Sequence, residues 1–240
     1  MAESREQSGE ASKEGPFVIT VDGPAASGKS SVSRLLAQSY GWSWLSTGAF
    51  YRALALVARK TGTALDQEEA LVRLAESPSW RVAMAPERTL VFFKETPEGP
   101  EEDVTDQIYA EEVGSDASQI SRFPGVRKSL LQAQRNCTQG VSGLVAEGRD
   151  CGTVIFPQAH LKIYLTAASE SRAQRRAQEQ GRDVEETARA QRLRDHQDSS
   201  RKAAPLTVPP GAHVIDTSQL NLDQVVEKVK DLLQTQVFEA

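Results

Sequence analysis

Residues 23–30 read Gly23, Pro24, Ala25, Ala26, Ser27, Gly28, Lys29 and Ser30, with Ser31 next. A glycine, four intervening residues, a second glycine and then Lys-Ser is the spacing of a phosphate-binding loop. The chemistry follows from the residue types. Glycines let the backbone curl until successive N–H groups point inward at phosphate oxygens. A helix beginning at Lys29 would add the positive end of its dipole. Lys29 would reach the β- and γ-phosphates of a nucleoside triphosphate, and Ser30 would offer its hydroxyl to a magnesium ion carried with them.

A second set of residues points to a second anion. Twelve arginines lie between Arg122 and Arg201, a stretch poor in lysine. Arginine is the better residue for a forked grip on phosphate. Arg149 and Asp150 follow the apolar run Leu144–Glu147, so the strand end carries an arginine rather than a water-activating acidic pair. Arg194, Asp198 and Arg201 are spaced i, i+4, i+7 and would share one helix face. Arg172, Arg175 and Arg176 also fall on one face of a helical stretch. The chain as a whole has a formal net charge of −5. A broad nucleic-acid surface would be basic, so the local arginine cluster points to small phosphorylated ligands.

These residues need a scaffold that gathers them. Phe17–Val21 is a β-branched run directly before the glycine loop, and Leu144–Glu147, Leu161–Leu165 and His213–Asp216 read as further strands. Apolar spacing predicts helices over residues 30–40, 47–59, 169–179, 185–199 and 222–233. Another helical stretch spans residues 109–139, broken at Phe123-Pro124-Gly125. Alternating strands and helices imply an α/β fold of the P-loop three-layer type: a mostly parallel, five-stranded sheet with helices on both faces. Residues 62–108 have a different texture. Arg81–Ala85 and Thr89–Phe93 look like a hairpin around Pro86-Glu87-Arg88, and Glu95–Asp103 looks like a loop. The expected organisation is a disordered tail over 1–15, core with the phosphate loop over 16–61, an insertion with a small antiparallel sheet over 62–108, and core again over 109–240, with a short lid at about 172–184.

Composition removes several classes. No apolar run approaches the roughly 20 residues that span a bilayer, and the first fifteen residues lack the apolar centre of a secretory signal. Two cysteines, Cys137 and Cys151, and three scattered histidines, His160, His196 and His213, give neither a disulfide framework nor a ligand cluster. A cytoplasmic, monomeric protein without nucleic-acid or membrane partners is the expectation. There is also no guanine-reading N/T-K-x-D of a switch GTPase.

In six separated stretches the chain resembles the bacterial-type cytidylate kinases. They are Val21–Ser31, Ser46–Arg52, Glu102–Ile108, Ala117–Arg127, Glu147–Pro157 and Arg192–Leu206. The resemblance implies transfer of the γ-phosphoryl of ATP to CMP or dCMP, with magnesium accompanying ATP on Gly23–Ser31. By the same resemblance Arg52, Arg149 and Arg201 would hold the CMP phosphate, with Arg194 nearby, and with Lys29 they would be the catalytic set. Asp198 would bind the ribose hydroxyls. Ser118, Arg127 and Asp150 would read cytosine, and Thr47 would lie beside base and phosphate. Arg172, Arg175 and Arg176 would belong to a lid closing on the migrating phosphoryl. Two positions depart from the family pattern: Tyr109 stands where an arginine is common, and Cys151 where methionine or another apolar residue is. From the residues alone, a kinase of another monophosphate or of a small metabolite, and a nucleotide-binding module without transfer activity, stay open.

Overall fold

The computed structural model describes residues 15–199 and 206–238, the side chains of 179, 180, 194 and 196–199 and the last few residues apart. Arg201 and nearly all of the expected tail lie outside the described residues, as do the side chains of Arg194 and Asp198.

Five strands form one parallel sheet: β1 (Phe17–Asp22), β2 (Ser43–Ser46), β6 (Gly143–Gly148), β7 (Leu161–Thr166) and β8 (His213–Asp216), in the order β2-β6-β1-β7-β8. Buried strands of a parallel sheet read as continuous apolar runs, and β1 with its neighbours does. Their side chains divide by the period of two. Val18, Leu144, Ala146 and Leu45 face one layer, and Ile19, Val21, Val145, Leu161 and Ile163 face the other. The second layer is closed by α1 (Lys29–Tyr40) and α8 (Leu222–Phe238), through Val32, Leu36, Val225 and Val229. The first is closed by α2 (Gly48–Thr61), α4 (Glu111–Ile120) and α5 (Pro124–Asn136), through Leu54, Ile120 and Leu130. The α/β class and the helices on both faces agree with the sequence.

Four of the five sheet strands carry apolar runs that read as strands. The fifth, β2, has only Trp44 and Leu45 between two serines, too few residues for a periodic signal.

The stretch 62–108 contains α3 (Glu68–Ala75), β3 (Trp80–Met84), β4 (Thr89–Phe93) and β5 (Glu102–Asp103), the strands pairing antiparallel in the order β3-β4-β5. Two elements here differ from the sequence reading. The charged run Glu68-Glu69 opens a helix whose one fully inward residue, Leu71, is buried. The end of the expected loop, Glu102–Asp103, pairs with β4 as an exposed edge. Leu71, Trp80, Val91, Phe93 and Val104 pack into the same hydrophobic cluster as Leu54, Ile120 and Leu130, and the Phe50 and Trp80 rings meet edge to face at 6.3 Å. Each such fully buried large side chain contributes about 1.5–3 kcal/mol.

Parallel α/β sheets present ligands at the carboxyl ends of their strands. Here that edge holds Asp22, Ser46, Gly148, Thr166 and Asp216.

Candidate active site

The loop from Gly23 to Gly28 joins β1 to α1 in the order the motif requires. Gly23 has φ +148°, and a Cβ there would sit 2.1 Å from the Leu165 carbonyl oxygen, so only glycine lets the loop leave the sheet this closely. Ala26 is the one described non-glycine residue at positive φ, +57°. Ser27 Oγ and Lys29 Nζ both donate to the Pro24 carbonyl, at 3.1 and 2.6 Å. Lys29 is nine-tenths buried and is therefore held over the loop rather than extended into solvent.

At the first turn of α1, Ser30 Oγ donates to Glu147 Oε1 at 2.9 Å. Glu147 ends the run Leu144–Glu147 on the strand beside β1, and it is buried. Sequence reasoning does not single it out, and the signal it offers is an acidic residue closing an apolar strand.

The turn after β6 carries Arg149 and Asp150. Arg149 donates to the Gly23 carbonyl at 2.6 Å. Asp22 pins the start of the following turn by accepting from the Cys151 N–H at 2.8 Å and the Gly152 N–H at 2.7 Å. Burial outweighs these two bonds and pushes the Asp22 carboxyl up to about 6.

Beside this turn opens a cleft lined by Thr47, Tyr51, Arg52, Ser118, Arg127, Arg149 and Asp150 among others. Thr47, at the head of α2, donates from Oγ1 to the Glu147 carbonyl at 2.9 Å. Arg127 and Asp150 form an ion pair with both side chains almost fully buried. The Arg127 guanidinium also lies 5.5 Å from the Tyr51 ring centroid and donates to the Ser121 carbonyl at 3.3 Å. Ser118 Oγ bonds back to the Gly114 carbonyl one turn earlier.

The three arginines of α6 (Ser169–Gln180) do not act alike. Arg172 is buried, donates to the Ala25 carbonyl of the phosphate loop at 3.1 Å, and pairs with Asp195 of α7 (Val184–Ser199) at 2.7 Å. Arg175 donates to the Thr217 hydroxyl and carbonyl at 3.1 and 2.5 Å. Arg176 lines a neighbouring cavity together with Arg52. So Arg172 and Arg175 tie α6 to the phosphate loop and to the end of β8.

The family model for cytidylate kinase matches residues 19–235. A cytidylate kinase of Bdellovibrio bacteriovorus is 57% identical over 221 residues, covering 92% of this chain and 99% of that protein. One of Azotobacter vinelandii is 44% identical over 223 residues, covering 89% of this chain and 93% of that protein. The chain belongs to the cytidylate kinase family. In fold it is similar to an uncharacterized protein from Eubacterium ventriosum, with a TM-score of 0.51 at 10% identity over 91% of this chain and 98% of that one. Membership makes it a nucleoside monophosphate kinase, a transferase.

Cys151 is fully buried, and burial holds its thiol well above the usual range, which leaves it a packed, protonated group rather than a nucleophile. His160 accepts the Val18 N–H through Nδ1 at 3.0 Å, at the opposite end of the sheet. Among the described residues no group of three His, Cys, Asp or Glu side chains is disposed to hold a metal, and no helix is long and apolar enough to cross a membrane.

Proposed function

We propose that the protein transfers the γ-phosphoryl group of ATP to CMP or dCMP, giving ADP and CDP or dCDP. The observation that carries this reading is the bond from Arg149 to the Gly23 carbonyl. Arg149 belongs at once to the phosphate loop and to the wall of the cleft, so a ligand in each would meet end to end at that guanidinium.

Phosphoryl transfer asks for alignment and charge neutralisation more than for covalent chemistry. The acceptor is a phosphate oxygen that is already anionic, so no strong base is needed. Lys29 and the loop N–H groups hold the donor phosphates. Arg149 and Arg52 face the acceptor phosphate and offset the repulsion between the two nucleotides as the bond forms. Arg194 and Arg201, with Asp198 on the ribose hydroxyls, complete the acceptor set in this reading. Ser30 and Glu147 are hard oxygen donors that fit magnesium, which when bound would neutralise charge on the β- and γ-phosphate oxygens. Closure over the cleft by the segment at about 172–184 excludes water, which would otherwise take the phosphoryl group.

Base selection rests on the Arg127–Asp150 pair, with Ser118 beside it. Cytosine presents an N4 amino donor next to the N3 and O2 acceptors. A carboxylate accepts from N4 while a guanidinium donates to N3 or O2. Uracil reverses this order at positions 3 and 4 and would set a carbonyl oxygen against Asp150, a repulsive mismatch. Thr47 lies between the base and phosphate ends. The protein acts as a monomer in this reading. The two free cysteines suit the reducing cytoplasm.

ADP release measured with ATP and, in turn, CMP, dCMP, UMP, AMP and GMP tests the proposal. CMP and dCMP should lead by at least about tenfold, the discrimination one reversed hydrogen-bond pair supports. Equal turnover of UMP would overturn the base reading. ATP binding with no acceptor-dependent ADP release would overturn the transfer.

A further inference from the structure

Arg52 lies in a slot made by two adjoining pieces of chain, the turn at residues 108–109 and the first turn of α4. One guanidinium nitrogen donates to the Ile108 carbonyl at 2.9 Å. The guanidinium carbon stands 5.7 Å from the centroid of the Tyr109 ring. On the other element, α4, Gly114 leaves the space a side chain would take. A Cβ there would fall 2.9 and 3.0 Å from the two terminal nitrogens of Arg52 and 3.2 Å from its central carbon.

Tyr109 itself is half exposed, so its ring is not required to fill the core. It borders two cavities, one shared with Arg52 and one shared with Ser30 and Glu147. A guanidinium donates only in its own plane, and a forked grip on phosphate therefore depends on how that plane is set. The face of an aromatic ring attracts a cation without competing for its N–H donors. A bare Cα lets the group approach a helix more closely than any other residue would allow.

We infer that Tyr109 and Gly114 are positioning residues that fix the plane of the Arg52 guanidinium for the acceptor phosphate. This rests on the reading above that Arg52 holds that phosphate. The contact made by Tyr109 is through its ring, so phenylalanine serves and an aliphatic residue does not. Gly114 lies in a helix at an ordinary backbone conformation, since it is absent from the residues with positive φ. Alanine there is favoured by helix propensity, yet it pushes the guanidinium out of its slot.

The test is steady-state kinetics of Tyr109→Leu, Tyr109→Phe, Gly114→Ala and Arg52→Met, with CMP varied at saturating ATP and then the reverse, alongside thermal denaturation. Tyr109→Leu should raise KM for CMP about threefold to tenfold, the span of a partly exposed cation–ring contact. Gly114→Ala should raise it at least as much. In both, KM for ATP stays within about twofold and Tm does not fall, while Tyr109→Phe stays within about twofold of the parent throughout. A purely structural role would lower Tm and move both substrates together. If Arg52→Met raises KM for CMP but Tyr109→Leu and Gly114→Ala do not, the slot is refuted and the phosphate reading stands. If Arg52→Met leaves KM for CMP unchanged, the phosphate reading falls and the slot has no function to serve.

Discussion

The two sides of the reaction cleft are built on opposite plans. The donor side is one loop, Gly23–Ser31, in which neighbours in sequence are neighbours in space: Ser27 and Lys29 both bond the Pro24 carbonyl. The acceptor side has no such continuity. Its lining comes from α2 (Tyr51, Arg52), α4 (Ser118), α5 (Arg127) and the turn after β6 (Arg149, Asp150). A contiguous loop keeps its geometry through local backbone bonds. A dispersed site keeps its geometry only as long as the helices around it stay packed. In the proposed reading the donor phosphates are held on the first plan, while the acceptor phosphate and the choice among bases fall to the second.

Substitutions can break this contrast. Lys29→Ala should have the largest effect, lowering kcat by about a thousandfold or more, as loss of a charge aimed at the transferring group does. CMP affinity measured by calorimetry should hardly move. If CMP affinity collapsed as well, the two sides would not be separable.

Asp150→Ala leaves the buried Arg127 guanidinium without its carboxylate. Removing one partner of a buried pair costs about 3–5 kcal/mol, read as a lower denaturation midpoint. The preference for CMP over UMP should fall in the same variant by about tenfold or more. Asp150→Asn keeps the volume and separates the two effects. Full cytosine preference in that variant would sink the assignment of base reading to this pair.

Asp22 gives a pH-dependent sharpening. With its carboxyl at about 6 in the fold against an ordinary 3.8, the native protein keeps a proton that the unfolded chain has already released. Stability from this group is therefore greatest below about pH 4, declines as pH rises to about 6, and is level above that. Relative to Asp22→Asn, which does not titrate, the parent should lose on the order of 3 kcal/mol between pH 4 and 7. Chemical denaturation at a series of pH values checks this, and a pH-independent difference would show that Asp22 is charged throughout.

The smallest effect belongs to a pair outside both halves. Arg88 and Asp106 meet at 2.5 Å with both side chains well exposed. Arg88→Ala should change stability by less than about 0.5 kcal/mol, and a larger loss would mean that the hairpin tip is coupled to the cleft.

How much of this the sequence carries follows the same division. Lys29 and Ser30 are legible as chemistry because their spacing is local. Arg149 stands out as an arginine after an apolar strand, but Thr47, Arg52, Ser118, Arg127 and the base-reading role of Asp150 are legible only through the family resemblance, since no periodicity connects positions a hundred residues apart. Strand β2 escapes because two apolar residues carry no pattern. Helix α3 escapes because a single buried leucine among charges does not mark a core face. Glu147 was visible as a strand end, but its bond to Ser30 depends on which strands are adjacent. For Arg172 and Arg175, helical spacing predicts a shared face but cannot show that they bond the loop carbonyl of Ala25 and Thr217.

The shared hydrophobic cluster of Leu71, Trp80, Val91 and Phe93 with Leu54, Ile120 and Leu130 bears on how such a kinase can be altered. The stretch 62–108 looks like a cassette when read along the chain, but it has no interior of its own. Excising it would strip the neighbouring helices of their covering, and exchanging it for a relative's version would import side chains shaped for another set of helices. New acceptor preferences are therefore more readily reached through point changes at the cleft wall than through transplanted segments.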